Sequence, residues 1–114
     1  DGSHNPLGAK ALVDYLDTLN CQKHIILGMM ANKDHNKYAR CFNKKISSLT
    51  VIDIPNQTNA IKRDILKKKI KLDGIEIQSK SSIQEAINSI PKKNNEIILI
   101  TGSLYLAGEV LNLN

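Results

Sequence analysis

The stretch Glu96-Ile97-Ile98-Leu99-Ile100-Thr101 carries the strongest strand pattern in this chain. Its continuous run of aliphatic residues predicts a strand that is covered on both faces, because a strand with one solvated face alternates apolar and polar residues. Sheets that are buried on both faces belong to the α/β class, in which helices pack on each side. We therefore expect this strand to lie in the centre of a parallel sheet.

Helical and strand patterns alternate along the rest of the chain. Apolar residues at i, i+3 and i+4 predict helices over about 6–20, 33–42, 59 or 60–71 and 82–90. Short apolar runs predict strands over 24–28, 49–54 and 75–77. Such alternation builds a mostly parallel sheet through right-handed crossovers. The expected fold is a single Rossmann-like α/β domain with helices on both faces of the sheet.

Local signals support several helix boundaries. Asn5 before Pro6 suits the cap and the first position of a helix. Ser82 with Glu85 three residues later forms a capping box. Gly102-Ser103 is expected to open a last helix, whose apolar positions would be Leu106 or Ala107, Val110 and Leu111.

Length and composition limit the class of protein. The 114 residues suffice for one domain, and 41% apolar against 24% charged residues indicates a globular chain. No stretch approaches the roughly 20 apolar residues of a membrane helix. The net charge of +5 suits nucleic acid or an acidic small molecule. Because the basic segments 62–63 and 67–71 lack aromatic residues, we interpret them as the solvated face of a helix.

The cysteines and histidines show no disulfide framework and no metal spacing. Cys21 and Cys41 are too few for a framework, and no histidine lies at a zinc-site interval from them. We therefore expect no metal site in this chain and a reduced, cytoplasmic setting. His24 begins an apolar run, and we expect its role to be structural.

Three loops fall at strand-to-helix turns, namely residues 1–5, 28–34 and 101–103. Ligands of α/β sheets gather at the carboxyl ends of the strands, so we expect the three loops to meet at one binding edge. The first and third loops lead into expected helix N-termini, which present free N–H groups to anions.

Four polar residues in these loops are candidate ligand contacts. Lys33 can reach an anion, Ser103 can donate to a carboxylate, Asp1 can accept from ribose hydroxyls, and His4 can donate to phosphate. Three of them also have a plain structural interpretation, since Ser103 can simply cap a helix, Asp1 can simply begin a tight turn, and a single lysine in a loop is more often without a ligand. What favours a binding site is their convergence on one edge. No Gly-x-x-x-x-Gly-Lys-Ser/Thr phosphate loop is present.

Three segments resemble motifs of one enzyme family. Asp1-Gly2-Ser3-His4-Asn5-Pro6 resembles the Asp-Gly-Ala-His-Asn-Pro signature of folylpolyglutamate synthases and bifunctional dihydrofolate synthases. Residues 27–34 resemble their Gly-Met-x-x-Asp-Lys-Asp loop, and residues 100–110 resemble their Thr-Gly-Ser-Leu-Tyr ending. The motifs occur in the same order over the whole chain. The chain is therefore similar to the C-terminal glutamate-ligase domain of the Mur ligase superfamily.

The resemblance implies an ADP-forming amide ligase. In this family ATP phosphorylates a carboxylate of dihydropteroate or a folate, and the amine of L-glutamate attacks the acyl phosphate. By position, Asp1 and His4 would contact ATP, while Lys33, Ser103 and Tyr105 would contact glutamate. The resemblance assigns no catalytic residue to this segment, because the phosphate loop and the Mg²⁺ ligands would lie in an N-terminal ATPase domain.

The resemblance also implies how the domain is used. Residues 1–114 would be a fragment that lacks the first strand of its sheet and its N-terminal ATPase domain, which would act in cis within a monomer. We therefore expect the isolated chain to be inactive, with no nucleic-acid or membrane partner. The motifs are compatible with dihydrofolate synthase, folylpolyglutamate synthase or both activities.

The sequence departs from the family pattern in three places. Ser3 replaces the usual Ala, and Asn32 replaces an Asp, which removes a negative charge beside Lys33. Residues 55–59 replace a loop that often carries Arg, and we assign that loop no role. The alternative function is a free-standing anion- or nucleotide-binding module of the same fold class. A phosphate loop upstream in the gene would decide for the ligase.

Overall fold

A computed structural model describes residues 6–91, 96–102 and 105–112 of the chain. The elements in chain order are α1 (Pro6–Asp17), β1 (Gln22–Gly28), α2 (His35–Arg40), β2 (Ser48–Val51), α3 (Arg63–Lys69), β3 (Ile77–Ser79), α4 (Ile83–Ser89), β4 (Glu96–Gly102) and β5 (Tyr105–Asn112). The strands form one sheet in the order β3-β2-β1-β4-β5. Strands β1 to β4 are parallel, and β5 is antiparallel to β4. The predicted Rossmann-like α/β fold is confirmed.

Strand β4 lies inside the sheet, as its aliphatic run predicts. All of its seven residues are buried, and it pairs with β1 on one side and β5 on the other. The register sets Ile25 beside Leu99 and Gly28 beside Gly102. The two central strands therefore end at the same level.

Each face of the sheet packs against helices. On one face the cluster joins Leu27 and Leu99 to the helical residues Leu16, Tyr38 and Leu66. On the other face, residues of α4 and the position after it cover the alternate strand residues, in a cluster of Ile26, Ile52, Ala86, Ile90, Ile98 and Ile100. Helices on both faces are therefore confirmed. None of the helices among the described residues has the length and apolar content that crossing a membrane requires.

The prediction of a last helix is wrong, because residues 105–112 form strand β5. Leu99 pairs with Val110 and Ile100 with Glu109 across the two antiparallel strands. A buried strand needs partners for its backbone N–H and C=O groups on both edges, and β5 supplies them on the edge that β1 leaves open. Gly108 would also weaken a helix at its centre. The expected helix N-terminus at Gly102-Ser103 therefore does not contribute to a site.

A local cap and a contact between distant segments move two other boundaries. The helix predicted from residue 33 begins at His35, because Asp34 caps it and accepts from the Lys37 N–H at 3.3 Å. The helix predicted from 59 or 60 begins at Arg63, because Ala60 forms a bridge with Met30 in extended conformation. The other boundaries lie within three residues of the predictions.

The capping box of α4 forms with a shifted return bond. Ser82 Oγ accepts from the Glu85 N–H at 3.1 Å, as predicted. The Glu85 carboxylate, however, accepts from the side chain and the backbone N–H of Ser81 at 2.5 and 3.2 Å. These two bonds hold the pKa of the Glu85 carboxyl below its ordinary value.

His24 is held inside the fold, in agreement with its predicted structural role. Its Nε2 lies 2.6 Å from Glu96 Oε1, and its Nδ1 lies 2.7 Å from Ser48 Oγ. Both His24 and Glu96 are buried. The group joins the third residue of β1 to the first residues of β2 and β4, so it lies at the edge opposite the loops that follow β1 and β4.

Candidate functional site

The loops after β1 and β4 leave the sheet side by side. Gly28 and Gly102, the last residues of the two strands, are paired in the parallel register. The predicted convergence of loop 28–34 with residues 101–102 is therefore confirmed. Residues 1–5 and 103–104 lie outside the described part of the chain, so the place of the first loop stays a prediction.

Glycine is required where the two strand ends meet. Gly102 has φ +140°, and a Cβ built on it would lie 1.7 Å from the Gly28 carbonyl oxygen. A Cβ on Gly28 would lie 2.8 Å from Ile54 Cγ1. The missing side chain at Gly102 lets the two backbones approach closely, and the missing side chain at Gly28 leaves room for Ile54.

The loop that carries Lys33 is held by three bonds to its backbone. Ala31 N–H donates to Asn59 O at 2.8 Å, and Ile61 N–H donates to Met29 O at 3.0 Å. Buried His35 lies with its Nε2 2.9 Å from Met30 O. Residues 29–31 are thus tied both to the segment before α3 and to α2.

A cleft of about 360 Å³ lies between these paired loops. Its lining residues come from both of them and are Met30, Ala31, Asn32, Thr58 and Asn59. The sequence gives no role to residues 55–59, and periodicity could not have found one. Their place in the cleft wall depends on the bridge between Met30 and Ala60, which joins segments about thirty residues apart.

Lys33 follows directly after this lining segment and is partly buried. Within residues 6–91, 96–102 and 105–112 its ammonium makes no hydrogen bond or ion pair. The adjacent Asn32 is neutral, and the Asp34 carboxylate caps α2. A lysine without a counter-ion among the described residues is suited to bind an anionic ligand.

A group of polar side chains around Arg63 holds the segment between β2 and α3, which carries the cleft residues Thr58 and Asn59. Arg63 donates to Asp53 through its backbone N–H at 2.9 Å and through Nε at 3.2 Å. Its Nη1 also reaches Ser79 Oγ at 3.4 Å. The chain that leaves β2 is therefore anchored where α3 begins.

Of the other predicted ligand contacts, the structure describes only the backbone of Tyr105. Asp1, His4 and Ser103 lie outside the described residues. Tyr105 lies in β5 opposite Gly102, which puts its backbone at the edge of the sheet that bears the loop of Lys33. The described residues include no group of three or more His, Cys, Asp or Glu that could hold a metal ion.

Comparison with known families shows the family of this chain. The model of the family described as "Mur ligase, glutamate ligase domain" matches residues 1–104. The chain belongs to this family. No curated protein matches the chain at a significant level.

Solved structures of folylpolyglutamate synthases share the fold. The enzyme from Mycobacterium tuberculosis, complexed with ADP and AMPPCP, matches 94% of the chain with a TM-score of 0.73 and 21% identity. The bifunctional folylpolyglutamate synthase/dihydrofolate synthase from Yersinia pestis, complexed with AMPPNP and Mn ion, matches 94% with a TM-score of 0.74 and 16% identity.

The folylpolyglutamate synthase from Thermotoga maritima also matches 94% of the chain, with a TM-score of 0.70 and 26% identity. The matched part covers 27%, 26% and 25% of the three solved chains, so this chain spans about a quarter of their length. The resemblance to the C-terminal domain of folylpolyglutamate synthases is confirmed.

Proposed function

We propose that this domain is the C-terminal part of an ATP-dependent ligase that joins L-glutamate to dihydropteroate or a folate through an acyl phosphate. The family match and the similarity to folylpolyglutamate synthases support the reaction class. The observation that carries the assignment of a substrate is Lys33. This residue is partly buried, directly follows the lining residues of the cleft in the sequence, and has no counter-ion among the described residues.

The proposed task of this edge is to hold glutamate. Lys33 would pair with one glutamate carboxylate, and Ser103, which follows the end of β4, would donate a second hydrogen bond. Tyr105 is a further candidate at the same edge. A carboxylate held at two points leaves the amine oriented toward the acceptor, which converts an encounter in solution into attack within a complex.

The nucleotide side would be formed by Asp1 and His4. ATP supplies the phosphoryl group that activates the acceptor carboxylate, and Mg²⁺ would be bound by another domain of the ligase. Closure of this domain over that one would exclude water, which otherwise hydrolyses an acyl phosphate. The isolated 114-residue chain is then expected to release no ADP in the presence of glutamate and a folate.

Lys33→Ala in the full-length ligase tests the glutamate assignment. Loss of a charge-assisted hydrogen bond of about 1.5–3 kcal/mol should raise the glutamate KM roughly 10- to 150-fold, with the ATP KM little changed. Ser103→Ala should act in the same direction. Lys68→Ala, which removes an exposed lysine of α3, is the control. A raised ATP KM with an unchanged glutamate KM would contradict the assignment.

Asp1→Ala tests the proposed ATP contact, and here the kinetics with ATP should change and not those with glutamate. A ribose contact should raise the ATP KM or lower kcat, while the melting temperature of the ligand-free protein stays the same. ATP kinetics and melting are measured on one preparation. Lower melting with unaltered kinetics would make Asp1 a turn residue only.

A further inference from the structure

One turn of α2 contacts both loops of the candidate site. His35 Nε2 lies 2.9 Å from the Met30 carbonyl oxygen, in the loop that carries Lys33. Tyr38, one turn later, has its hydroxyl 2.7 Å from Thr101 Oγ1, near the end of β4. Since residues three apart lie on the same side of a helix, this side of α2 spans the space between the two loops.

We propose that Tyr38 is a positioning residue that sets the place of the end of β4, at residues 101–102, relative to the Lys33 loop, and thereby supports the proposed binding of glutamate at this edge. This role rests on the proposed function. Ser103, the proposed second contact, follows Thr101 by two residues in the sequence. Tyr38 itself touches no substrate in this proposal and acts through Thr101.

The hydrogen bond lies where it can define a position. Tyr38 is 1% exposed and Thr101 is 0% exposed, so water does not compete for this pair as it would at the surface. The Tyr38 ring packs edge-on against Phe42, with centroids 5.6 Å apart and planes at 69°. Because the core holds the ring in place, the hydroxyl also has a defined position, and its hydrogen bond holds Thr101 near the end of β4.

Helix α2 is also anchored independently of the two loops. Asn36 Oδ1 accepts from the Lys71 N–H at 2.9 Å, and Arg40 Nη1 donates to the Lys71 carbonyl oxygen at 2.7 Å. Both bonds tie α2 to the chain that follows α3. Since these bonds lie outside the site, α2 stays in place when either loop moves.

Tyr38→Phe in the full-length ligase tests the proposal, because it keeps the ring and removes the hydroxyl. The glutamate KM should rise about two- to tenfold, the range of one neutral buried hydrogen bond, with kcat and the ATP KM little changed. Thr101→Val removes the partner hydroxyl and should have a similar effect. The double variant should be no worse than either single one, because both remove the same interaction. Tyr15→Phe, at an exposed tyrosine of α1, is the control.

Amide hydrogen exchange gives a readout that needs no ligase activity. Amides of residues 29–34 and 101–104 should exchange faster in Tyr38→Phe than in Tyr15→Phe. Unchanged exchange, or a lower melting temperature with all kinetic constants unchanged, would overturn the positioning role. Absence of glutamate-dependent turnover in the wild-type ligase would overturn the proposed function and the role in it. The exchange measurement would then still decide whether Tyr38 holds the loops together.

Discussion

Gly102→Ala should destabilise the domain far more than Gly74→Ala, although both glycines have positive φ. Gly74, in the turn before β3, has φ +74° and nothing within 4 Å of an added Cβ. Gly102 has φ +140°, and an added Cβ would lie 1.7 Å from the Gly28 carbonyl oxygen and 2.8 Å from its carbon. The pair therefore separates backbone strain from steric overlap.

The magnitude follows from these two terms. At Gly74 alanine meets only the cost of a left-handed conformation, about 1–2 kcal/mol. At Gly102 the conformation is nearly restricted to glycine and costs about 1–3 kcal/mol. Contacts below 3.0 Å force a shift, so the backbones of β1 and β4 must move apart by more than an ångström. Overpacking of this kind adds about 1–3 kcal/mol, for a total of about 2–6 kcal/mol.

Urea unfolding of the two variants and the wild type, followed by circular dichroism, measures the difference. From the midpoints of the two ranges, about 4 and about 1.5 kcal/mol, the free energy of unfolding should fall by about 2.5 kcal/mol more in Gly102→Ala than in Gly74→Ala. If the two variants agree within about 0.5 kcal/mol, the close approach of Gly28 and Gly102 is not a property of the folded protein, and the reasoning is refuted.

Two further predictions concern charged groups. Glu96→Ala should lower the free energy of unfolding by about 2–4 kcal/mol, because it leaves buried His24 without its carboxylate partner, whereas Asp14→Ala at an exposed ion pair should cost under about 0.5 kcal/mol. If urea unfolding gives the two variants similar losses of free energy, the buried pair contributes no more than the exposed one and the prediction is wrong. Ser81→Ala should raise the pKa of Glu85 toward its ordinary 4.5, as an NMR titration would show. Because folding lowers this pKa, the Ser81 contacts stabilise the domain at pH values above the ordinary pKa of Glu85, and this stabilisation is lost as the pH falls through the folded pKa. An unshifted titration would argue against the side-chain bond from Ser81, because the backbone N–H bond remains in this variant.

Local patterns were sufficient for most of the elements. The aliphatic run of β4 predicted a buried strand, and it is one because β1 and β5 flank it and helices cover both faces. The same run shows why the last helix was predicted wrongly. Residues 105–112 are too few to separate helical from strand spacing, and the open edge of β4 decided between them.

The candidate site was predicted in part for a similar reason. Parallel strands end at one edge, so the alternation of elements was enough to bring loop 28–34 beside residues 101–102. The wall formed by Thr58 and Asn59 was missed, because it depends on backbone bonds between loops. The link from Tyr38 to Thr101 was missed as well, since the two residues lie 63 positions apart.

The sequence alone thus determined the class of the fold, the edge at which its loops converge and the family resemblance, because these depend on periodicity and on short motifs. The tertiary structure alone decided that β5 is a strand, that α3 begins after a bridge, and that α2 links the two loops of the site. Each of these depends on which distant backbone and side-chain groups satisfy one another's hydrogen bonds. No local pattern encodes that choice, because it is made only when the segments pack together.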